Sequence, residues 1–309
     1  MNVASHSCPQ CGTHLPANVH LACPSPWDGV FLCSACGLAS LMPAPSTDEL
    51  MAVYARSGNW EIRSDEQNRV QSERRARLLE QFVAPGRLFE VGASRGEFLA
   101  FMRDRGWQVQ GLEPGSDDCA AARDRYGIAL SNSFFTPADR GHADMDALVA
   151  WDVLEHCKEP AEVLSAMRTW VRPGGVIALA IPNIEGAGAR LFGQNWRYRM
   201  SPIHVHFFTE RWWQQQCARL GLERVQTVGF TKVQAWAQGV LPVSAKKLLI
   251  RQMASGGVSR PAPQGAGRAP APSLAGRLKA GARRAVFQLN QQPVPLPVAD
   301  LMDVVLRVK

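Results

Sequence analysis

The sequence lacks any apolar run that approaches the roughly 20 residues needed by a membrane-spanning helix. Its first residues, MNVASHSCPQCG, have neither the basic start nor the apolar stretch of a secretory signal, so we expect a cytoplasmic location. Charged residues make up only 20% of the chain and hydrophobic residues 46%, which excludes a mostly disordered or collagen-like protein. At 309 residues the chain exceeds one average domain and can bury a substantial core.

A surplus of positive charge is also lacking, except in the last quarter of the chain. The net charge is +7, yet residues 240–309 contain 11 Lys and Arg against 2 Asp and Glu. Residues 1–239 are therefore slightly acidic. The basic character of the whole chain is no argument that its main body binds nucleic acid.

Composition divides the chain into five regions. Residues 1–42 are rich in Cys, Pro and Gly and cannot build a core of their own. Residues 43–84 form a charged, helical linking segment, and residues 85–239 form the main folded core. Residues 240–297 are basic and rich in Pro, Gly and Ala, with short amphipathic helical segments. Residues 298–309 are predicted to be a closing strand of the core.

Short apolar runs alternate with helix-like segments through residues 86–230. The runs are RLFEVG, QVQGLE, IALSN, ALVAWD, VIALAIPN and ERVQTVGF. Alternation of this length predicts an α/β fold, in which a parallel sheet carries helices on both faces.

Two C-x-x-C pairs stand near the N-terminus, Cys8 with Cys11 and Cys33 with Cys36, and each pair is followed by Gly. Each pair offers two thiolates at the angle that tetrahedral zinc requires, and two pairs complete a closed site. A redox pair or disulfides are the alternatives, and the missing secretory signal favours zinc. Because a four-thiolate site has no open coordination position, we expect a structural Zn²⁺ in a zinc-ribbon-like segment.

A tight turn follows the first predicted strand, in the sequence LFEVGASRGEFL that begins at Leu88. Gly92 and Gly96 allow the backbone to approach a ligand where a Cβ would clash. The dinucleotide fingerprint G-x-G-x-x-G fails, because Ser94 and Glu97 stand where its second and third Gly belong. An acid two residues before the first Gly favours a positively charged ligand without a pyrophosphate, such as S-adenosylmethionine. A purely structural turn is the alternative.

Glu113 ends the second predicted strand, about 20 residues after this turn. A carboxylate at that strand end can accept hydrogen bonds from both hydroxyls of a ribose. A surface glutamate is the alternative, which the strand-end position weighs against.

In order and spacing, five motifs resemble those of class I S-adenosylmethionine-dependent methyltransferases: EVGASRG, GLEPG, ALVAWDVLEH, VRPGG and ALAIPN. The cysteine pairs that lead into CGLASLMPAPSTDEL resemble a bacterial subgroup with an N-terminal zinc-binding segment, some members of which act in glycan or sugar-nucleotide pathways. The resemblance covers about 1–238 and 299–309. It implies a Rossmann-like, doubly wound, seven-stranded sheet, ended by an antiparallel strand, and S-adenosylmethionine as the cofactor.

The resemblance also implies which residues bind the cofactor. By position these are Glu90 for the methionine end; Gly92, Ser94 and Gly96 for the backbone cradle; Glu113 for the ribose; Ser133 and Phe134 for the adenine; and Trp151 and Asp152 for the pocket wall. One departure is Ser94, where the commonest first motif has Gly. We expect a negative φ there, which Ser tolerates.

Three histidines are candidate catalytic bases for methyl transfer. His156 lies in LEHCKEP, and His204 and His206 lie in SPIHVHFF. The latter segment resembles the P-x-H-x-x-x-F-[ST] element of this group, which places His204 near the acceptor. For each of the three, a hydrogen-bonded structural role is the alternative. The aromatic and basic residues of 194–200, QNWRYRM, suit either an anionic or sugar-like acceptor or packing over the sheet.

The basic segment 273–291, SLAGRLKAGARRAVFQLNQ, places apolar residues on one helical face and basic residues elsewhere. Such a segment can contact the anionic inner-membrane surface peripherally. It can instead bind RNA or be a soluble helical insertion, so the role of 240–297 stays open at the level of sequence.

The sequence therefore predicts a methyltransferase that acts on a small-molecule or glycan-pathway acceptor, such as a sugar, a nucleotide sugar or an envelope component. An RNA methyltransferase that uses the zinc segment and the basic tail is one alternative, and a non-catalytic S-adenosylmethionine-binding protein is another. Nucleic acid is disfavoured as a partner, because AWDVLEH stands where many amino-directed nucleic-acid methylases have an Asn-Pro-Pro-type turn.

Overall fold

Eleven strands and six helices are assigned among the described residues of the computed structural model. The described residues are 6–15, 29–42, 45–46, 49, 64–193, 196–199, 203–232, 281 and 284–309. The strands are β1 (His6–Ser7), β2 (His14–Leu15), β3 (Val30–Leu32), β4 (Leu38–Leu41), β5 (Arg87–Val91), β6 (Gln108–Leu112), β7 (Met145–Trp151), β8 (Val171–Pro182), β9 (His206–Phe208), β10 (Leu222–Phe230) and β11 (Leu301–Val308). The helices are α1 (Asp65–Leu79), α2 (Glu97–Arg103), α3 (Ser116–Tyr126), α4 (Pro160–Trp170), α5 (Ala187–Phe192) and α6 (Glu210–Leu220), and a short 3₁₀ helix spans Leu154–His156.

The central sheet has the strand order β10-β11-β8-β7-β5-β6. Strands β5 to β8 pair in parallel, whereas β11 lies antiparallel between β8 and β10. Consecutive parallel strands need long crossovers, and the helices supply them. The chain order reverses at β5, which lies between β6 and β7, so a crevice opens at the carboxyl ends of these strands.

The predicted doubly wound α/β fold is confirmed, with six strands in the sheet where seven were expected. The predicted third strand, 128–132, makes a single parallel bridge between Leu112 and Ser131. Directly after that bridge the Ser133 N–H donates to the Ser131 carbonyl over 3.0 Å, and the backbone turns away. The exposed polar residues here give no apolar face that would extend the pairing.

Two hydrophobic layers cover the sheet, and the strand residues alternate between them. Along β8, Ile177, Leu179 and Ile181 belong to one layer, while Ala178 and Ala180 belong to the other. This two-residue period follows from the pleat, which points successive side chains to opposite faces. Leu88 of β5 and Ala147 and Val149 of β7 lie on the same face as Ala178 and Ala180. Helices α1, α2 and α3 cover this face.

The cysteine-containing segment is joined to the core through a small second sheet. Strands β3, β4 and β9 form an antiparallel sheet in which Leu38 pairs with Phe208. The Thr209 hydroxyl donates to the Gly37 carbonyl over 2.7 Å, and the Trp212 indole donates to Gln10 over 2.6 Å. The N-terminal segment thus packs on the start of α6 and shares the core's hydrophobic layer.

The chain between 284 and 300 leads along the core into β11. Asn183 donates to the carbonyls of Leu296 and Ala299 at 2.9 and 3.0 Å, and Arg284 pairs with Glu66 of α1 at 2.7 Å. Most of the predicted linker and amphipathic segments, 233–280, lie outside the described residues. Among the helices that the structure describes, none combines the length and the apolar character needed to cross a lipid bilayer.

Candidate functional site

The carboxyl ends of β5, β6 and β7 bring the predicted cofactor residues to one crevice. Glu90 is the penultimate residue of β5, Glu113 follows β6, and Trp151 ends β7. Because β5 pairs with both neighbours, these three positions lie side by side at one edge of the sheet. The cofactor residues predicted from separate sequence motifs are therefore close together in space.

Glu90 is a carboxylate buried inside the sheet layer, at 3% exposure. Burial raises its pKa to about 8, the nearby Arg75 guanidinium lowers it, and Glu97 and Glu113 raise it further. Its Oε2 atom accepts no hydrogen bond from the described residues. A buried acceptor of this kind is stabilised by a cationic donor. The ammonium group at the methionine end of S-adenosylmethionine fits it.

The turn after β5 is built from residues with left-handed backbone. The φ angles are +72° at Gly92, +47° at Ser94 and +75° at Gly96. A Cβ on Gly92 would meet the Val153 side chain at 2.8 Å, so only glycine fits there. The expectation of a negative φ at Ser94 is wrong. Its N–H donates to the Glu113 carboxylate over 2.9 Å, and this contact helps to hold the residue in the less favourable region.

Glu113 is fixed by backbone N–H groups on both sides. Its two oxygens accept from Ser94 and from Gly115, each over 2.9 Å. Burial raises its pKa, and these two hydrogen bonds lower it. The Asn132 side-chain amide donates to the carbonyls of Glu113 and Pro114 at 3.1 and 2.9 Å, and so holds the loop after β6. The carboxylate is only partly buried and can still meet a ribose.

The predicted adenine residues lie on the surface beside this loop. Ser133 and Phe134 are both exposed, and 42% of Phe134 is accessible to solvent. An exposed phenyl ring two residues after Asn132, which holds the loop after β6, offers a flat apolar surface on which a purine base can stack.

The end of β7 forms the opposite wall of the crevice. The Trp151 indole packs edge-on against Phe98, with ring centroids 5.5 Å apart. The Arg75 guanidinium lies 4.5 Å above the same indole and contacts the Asp152 carboxylate at 3.4 Å. Asp152 itself has φ +59°, which turns the chain sharply at the strand end. Arg75 thereby links the helix α1 to both predicted wall residues.

Two of the three candidate histidines stack on each other. The His156 and His204 ring centroids are 5.0 Å apart with an interplanar angle of 26°. Burial lowers the pKa of His156, and the neighbouring His204 lowers it further. Burial also lowers the pKa of His204 to about 4, against the field of Asp152, which raises it. Both rings are therefore neutral near pH 7 and offer nitrogen lone pairs.

Glu155, which the sequence analysis did not single out, lies next to these rings. It is fully buried, and its ligand atoms and those of His156 and His204 all lie within 4.8 Å of one another. We refer to these three residues as the carboxylate–histidine cluster. Burial raises the Glu155 pKa well above its usual range, and Asp152 raises it further.

His206, the third candidate, is held inside the protein. Its Nδ1 lies 3.0 Å from the Ser40 hydroxyl, and its Nε2 lies 3.1 Å from the Lys158 carbonyl. Both ring nitrogens are thus engaged at 2% exposure. This arrangement favours the structural alternative for His206, which ties β9 to the cysteine segment and to the loop before α4.

The aromatic residues of 194–200 pack inward. Trp196 is 2% exposed, donates to the Asp300 carboxylate over 2.9 Å and lies 5.7 Å from the Phe207 ring. Tyr198 is also buried, and its ring is stacked with that of His204 at 6.2 Å. Trp196 and Tyr198 therefore pack inside the protein, and Tyr198 borders the carboxylate–histidine cluster.

The four predicted zinc ligands converge. Cys8, Cys11, Cys33 and Cys36, the cysteine cluster, place their sulfurs within 4.8 Å of one another. The Cys8–Cys36 and Cys11–Cys33 sulfurs are each 3.6 Å apart. Four thiolates around tetrahedral zinc, with bonds near 2.3 Å, stand about 3.8 Å apart. The donor set and its spacing therefore fit zinc.

Three residues with a clear place in the site were missed. Glu155 had a signal, because it stands between Asp152 and His156 in the quoted DVLEH motif. Arg75 is one of many charged residues in α1, and Asn132 lies in a polar loop, so neither stands out in the sequence.

Comparisons with known proteins agree with this geometry. A family model described as a methyltransferase domain matches residues 62–227. The chain is 30% identical over 130 residues to the ubiquinone biosynthesis O-methyltransferase of Aeromonas salmonicida (strain A449), and 28% identical over 135 residues to the protein of that name from Pseudomonas aeruginosa (strain LESB58). These matches cover 39% and 41% of this chain, and 54% and 58% of those proteins. The chain thus spans about half the length of the curated relatives it matches.

A solved structure gives an independent view of the fold. A SAM-dependent methyltransferase from Thermotoga maritima aligns with a TM-score of 0.52 and 13% identity, over 84% of this chain and 100% of that one. At this identity the likeness concerns the fold alone.

Proposed function

Because the chain belongs to the methyltransferase-domain family, we propose that it transfers a methyl group from S-adenosylmethionine to an oxygen of a small-molecule acceptor. The observation that carries the proposal is the buried Glu90 carboxylate near the carboxyl end of β5, whose Oε2 atom has no donor among the described residues. A cationic ligand completes this site, and a dinucleotide pyrophosphate would be repelled by it.

The cofactor is held by four kinds of contact. Glu90 binds the ammonium group, Glu113 binds the ribose hydroxyls, Phe134 borders the adenine, and the turn around Gly92 lets the backbone approach the ligand. When bound, S-adenosylmethionine supplies a methyl group on a sulfonium, whose S–CH₃ bond breaks with its electron pair staying on sulfur while the new O–CH₃ bond forms. The residues of the crevice orient the two reactants and exclude water.

In this proposal the acceptor binds beside the carboxylate–histidine cluster. Glu155 and His156 closely follow Trp151 and Asp152 in the chain, so the cluster borders the cofactor wall, and His156 and His204 are half-buried. The relatives named O-methyltransferases support an oxygen acceptor. Because the groups of the cluster are largely buried, a small molecule, including a sugar of a glycan pathway, can reach them more easily than a macromolecule. The slightly acidic charge of residues 1–239 disfavours RNA.

We also propose that the cysteine cluster holds one structural Zn²⁺. All four ligands are thiolates, so no position is left for a substrate. The ion fixes the turns between β1 and β4, which small size and few apolar residues would not stabilise alone.

Peripheral membrane contact through 240–297, at the cytoplasmic face of an inner membrane, is a further proposal. Among the described residues of this region Arg284 pairs with Glu66 of α1, so the proposal concerns the basic residues of 240–280. Co-sedimentation with anionic vesicles should therefore be compared between the full chain and a chain without 240–280. Equal pelleting of the two would remove the idea.

Calorimetry on zinc-loaded protein tests the proposed function. S-adenosylmethionine and its demethylated product should both bind, and methyl-labelled cofactor should label small molecules of a cell extract or its nucleotide-sugar fraction. Absence of binding heat with both compounds would overturn the assignment. Label that appears in RNA would support the RNA alternative, and binding without turnover on any fraction would support a non-catalytic role.

A further inference from the structure

The carboxylate–histidine cluster is assembled from two distant parts of the chain. Glu155 and His156 lie in the 3₁₀ helix after β7, and His204 lies two residues before β9. The Val205 N–H donates to the Glu155 carbonyl over 3.0 Å, and the Val205 carbonyl accepts from the Leu41 N–H over 2.9 Å. This backbone ladder fixes His204 against the 3₁₀ helix, so the three side chains meet as part of the fold.

Polar atoms of the cluster are buried without the partners that such atoms normally have. Glu155 is fully buried, and neither of its carboxylate oxygens accepts a hydrogen bond from the residues that the structure describes. Within the same part of the chain, His204 Nδ1 is buried without a partner as well. Native proteins satisfy nearly all buried polar atoms, so an orphaned carboxylate beside a lone imidazole nitrogen points to a missing group.

The charges around the cluster favour a cation as that group. The negative charge of Asp152 acts on two members of the cluster, because it raises the pKa of both Glu155 and His204. Lys232 and Arg197 lie on the His204 side and act against it. A proton on Glu155 could be donated to one imidazole nitrogen, but it would still leave the other carboxyl oxygen without a donor. A cation satisfies all three ligands together.

We propose that Glu155, His156 and His204 bind one divalent first-row transition-metal ion. Two imidazoles with one carboxylate are a donor set of catalytic zinc sites and of open iron(II) sites. Nitrogen and oxygen ligand atoms around tetrahedral zinc lie about 3.3 Å apart. The ligand atoms of the cluster lie within 4.8 Å of one another, so each pair would need to approach by at most roughly 1.5 Å to bind the ion. The His204 ring is hydrogen-bonded to the Tyr198 backbone, the type of outer contact that orients a ligating imidazole.

The three ligands leave at least one coordination position for an acceptor hydroxyl. Coordination lowers the pKa of the hydroxyl, its proton leaves to solvent or to Asp152, and the oxygen lone pair then attacks the methyl carbon. This role rests on the proposed function, whereas metal binding itself does not. The neutral imidazoles serve here as ligands, and the ion replaces a histidine base.

Manganese(II) binding measured by electron paramagnetic resonance tests the site directly on the full zinc-loaded chain. Mn²⁺ prefers nitrogen and oxygen ligands over thiolates, so it reports on this cluster and not on the cysteine cluster. The wild-type chain should bind one Mn²⁺, and Zn²⁺ or Co²⁺ should compete for it. Glu155→Gln and His204→Ala should each weaken binding by more than the 10–100-fold typical of losing an outer-shell partner.

His142→Ala is the matched control, because His142 is exposed and far along the chain from the cluster. It should bind Mn²⁺ like the wild type. If Glu155→Gln does not fold, His204→Ala provides the same comparison. Wild-type protein that binds none of the three metals beyond one cysteine-bound Zn²⁺, or variants that bind as the wild type does, would overturn the proposal. Calorimetry with S-adenosylmethionine on the same samples reports on the proposed function separately.

Discussion

The cysteine cluster and the carboxylate–histidine cluster both gather metal-ligand atoms within 4.8 Å, but they form in different ways. The cysteine cluster comes from two local turns, each of which sets two ligands by its own geometry. The carboxylate–histidine cluster needs His204 to be carried to Glu155 by the pairing of β4 with β9. Since β4 belongs to the cysteine segment, we expect the second cluster to depend on the first, and not the reverse.

Loss of the cysteine-bound zinc is expected to have the largest effect. Zinc in such sites contributes apparent binding energies of about 10–16 kcal/mol to folding. Cys33→Ser should therefore unfold 29–42 and, through the lost pairing of Leu41 with Val205, expose the backbone of the carboxylate–histidine cluster. Hydrogen exchange at Leu41 and Val205 measures both effects. Cys217→Ser, outside the cluster, is the control. If the Val205 N–H stays protected from exchange after zinc is lost, the carboxylate–histidine cluster does not depend on the cysteine cluster.

Glu90→Gln tests whether the cofactor crevice is independent of both clusters. Removing one partner of a buried charge pair costs about 2–5 kcal/mol, so the affinity for S-adenosylmethionine should fall by at least roughly 30-fold. Zinc content should stay unchanged, because Glu90 touches neither cluster. Calorimetry and elemental analysis measure the two properties, with Asp117→Asn, an exposed acid on α3, as the control. An unchanged affinity would show that Glu90 does not bind the cofactor.

The pH dependence of stability distinguishes the two clusters further. Burial raises the pKa of Glu155, so between its ordinary pKa and its raised value the folded state binds more protons than the unfolded state. The free energy of unfolding should therefore fall as pH rises above about 4.5, by about 1.4 kcal/mol for each unit until the folded-state pKa is reached. Glu155→Gln should flatten that slope.

Denaturant titrations between pH 5 and 8 measure this slope, on protein that keeps its cysteine-bound zinc but no second metal. Glu90 adds a slope of the same sign up to its pKa of about 8, so Glu155→Gln should be compared with the wild type rather than with a flat line. Glu159→Gln changes an exposed acid nearby and should leave the slope unaltered. The same slope in Glu155→Gln and the wild type would mean that folding does not raise the pKa of Glu155.

Features set by a few neighbouring residues could be predicted from the sequence. The strand runs, the Gly92 turn, the Glu113 strand end and the C-x-x-C pairs each follow from local spacing. The sequence alone could not show that the Glu155 carboxylate accepts no hydrogen bond from the described residues, or that Arg75 lies over Trp151, because both depend on how distant parts of the chain pack together. The predicted third strand is reduced to a single bridge at Ser131: Ile128 and Leu130 pack in the core, but the next residues, Asn132 and Ser133, are polar and exposed.

Ser94 shows where a local motif was interpreted wrongly, and Ser94→Gly is expected to have the smallest effect. A left-handed φ costs a non-glycine residue about 1 kcal/mol, while glycine adds a similar entropy to the unfolded chain. The two nearly cancel, so the free energy of unfolding should change by less than about 1 kcal/mol. The Ser94 N–H still reaches Glu113 in the variant, so cofactor affinity should be close to that of the wild type. Ser94→Ala keeps the strain and is the control. A large loss of affinity in both variants would instead show that the Ser94 hydroxyl contacts the cofactor.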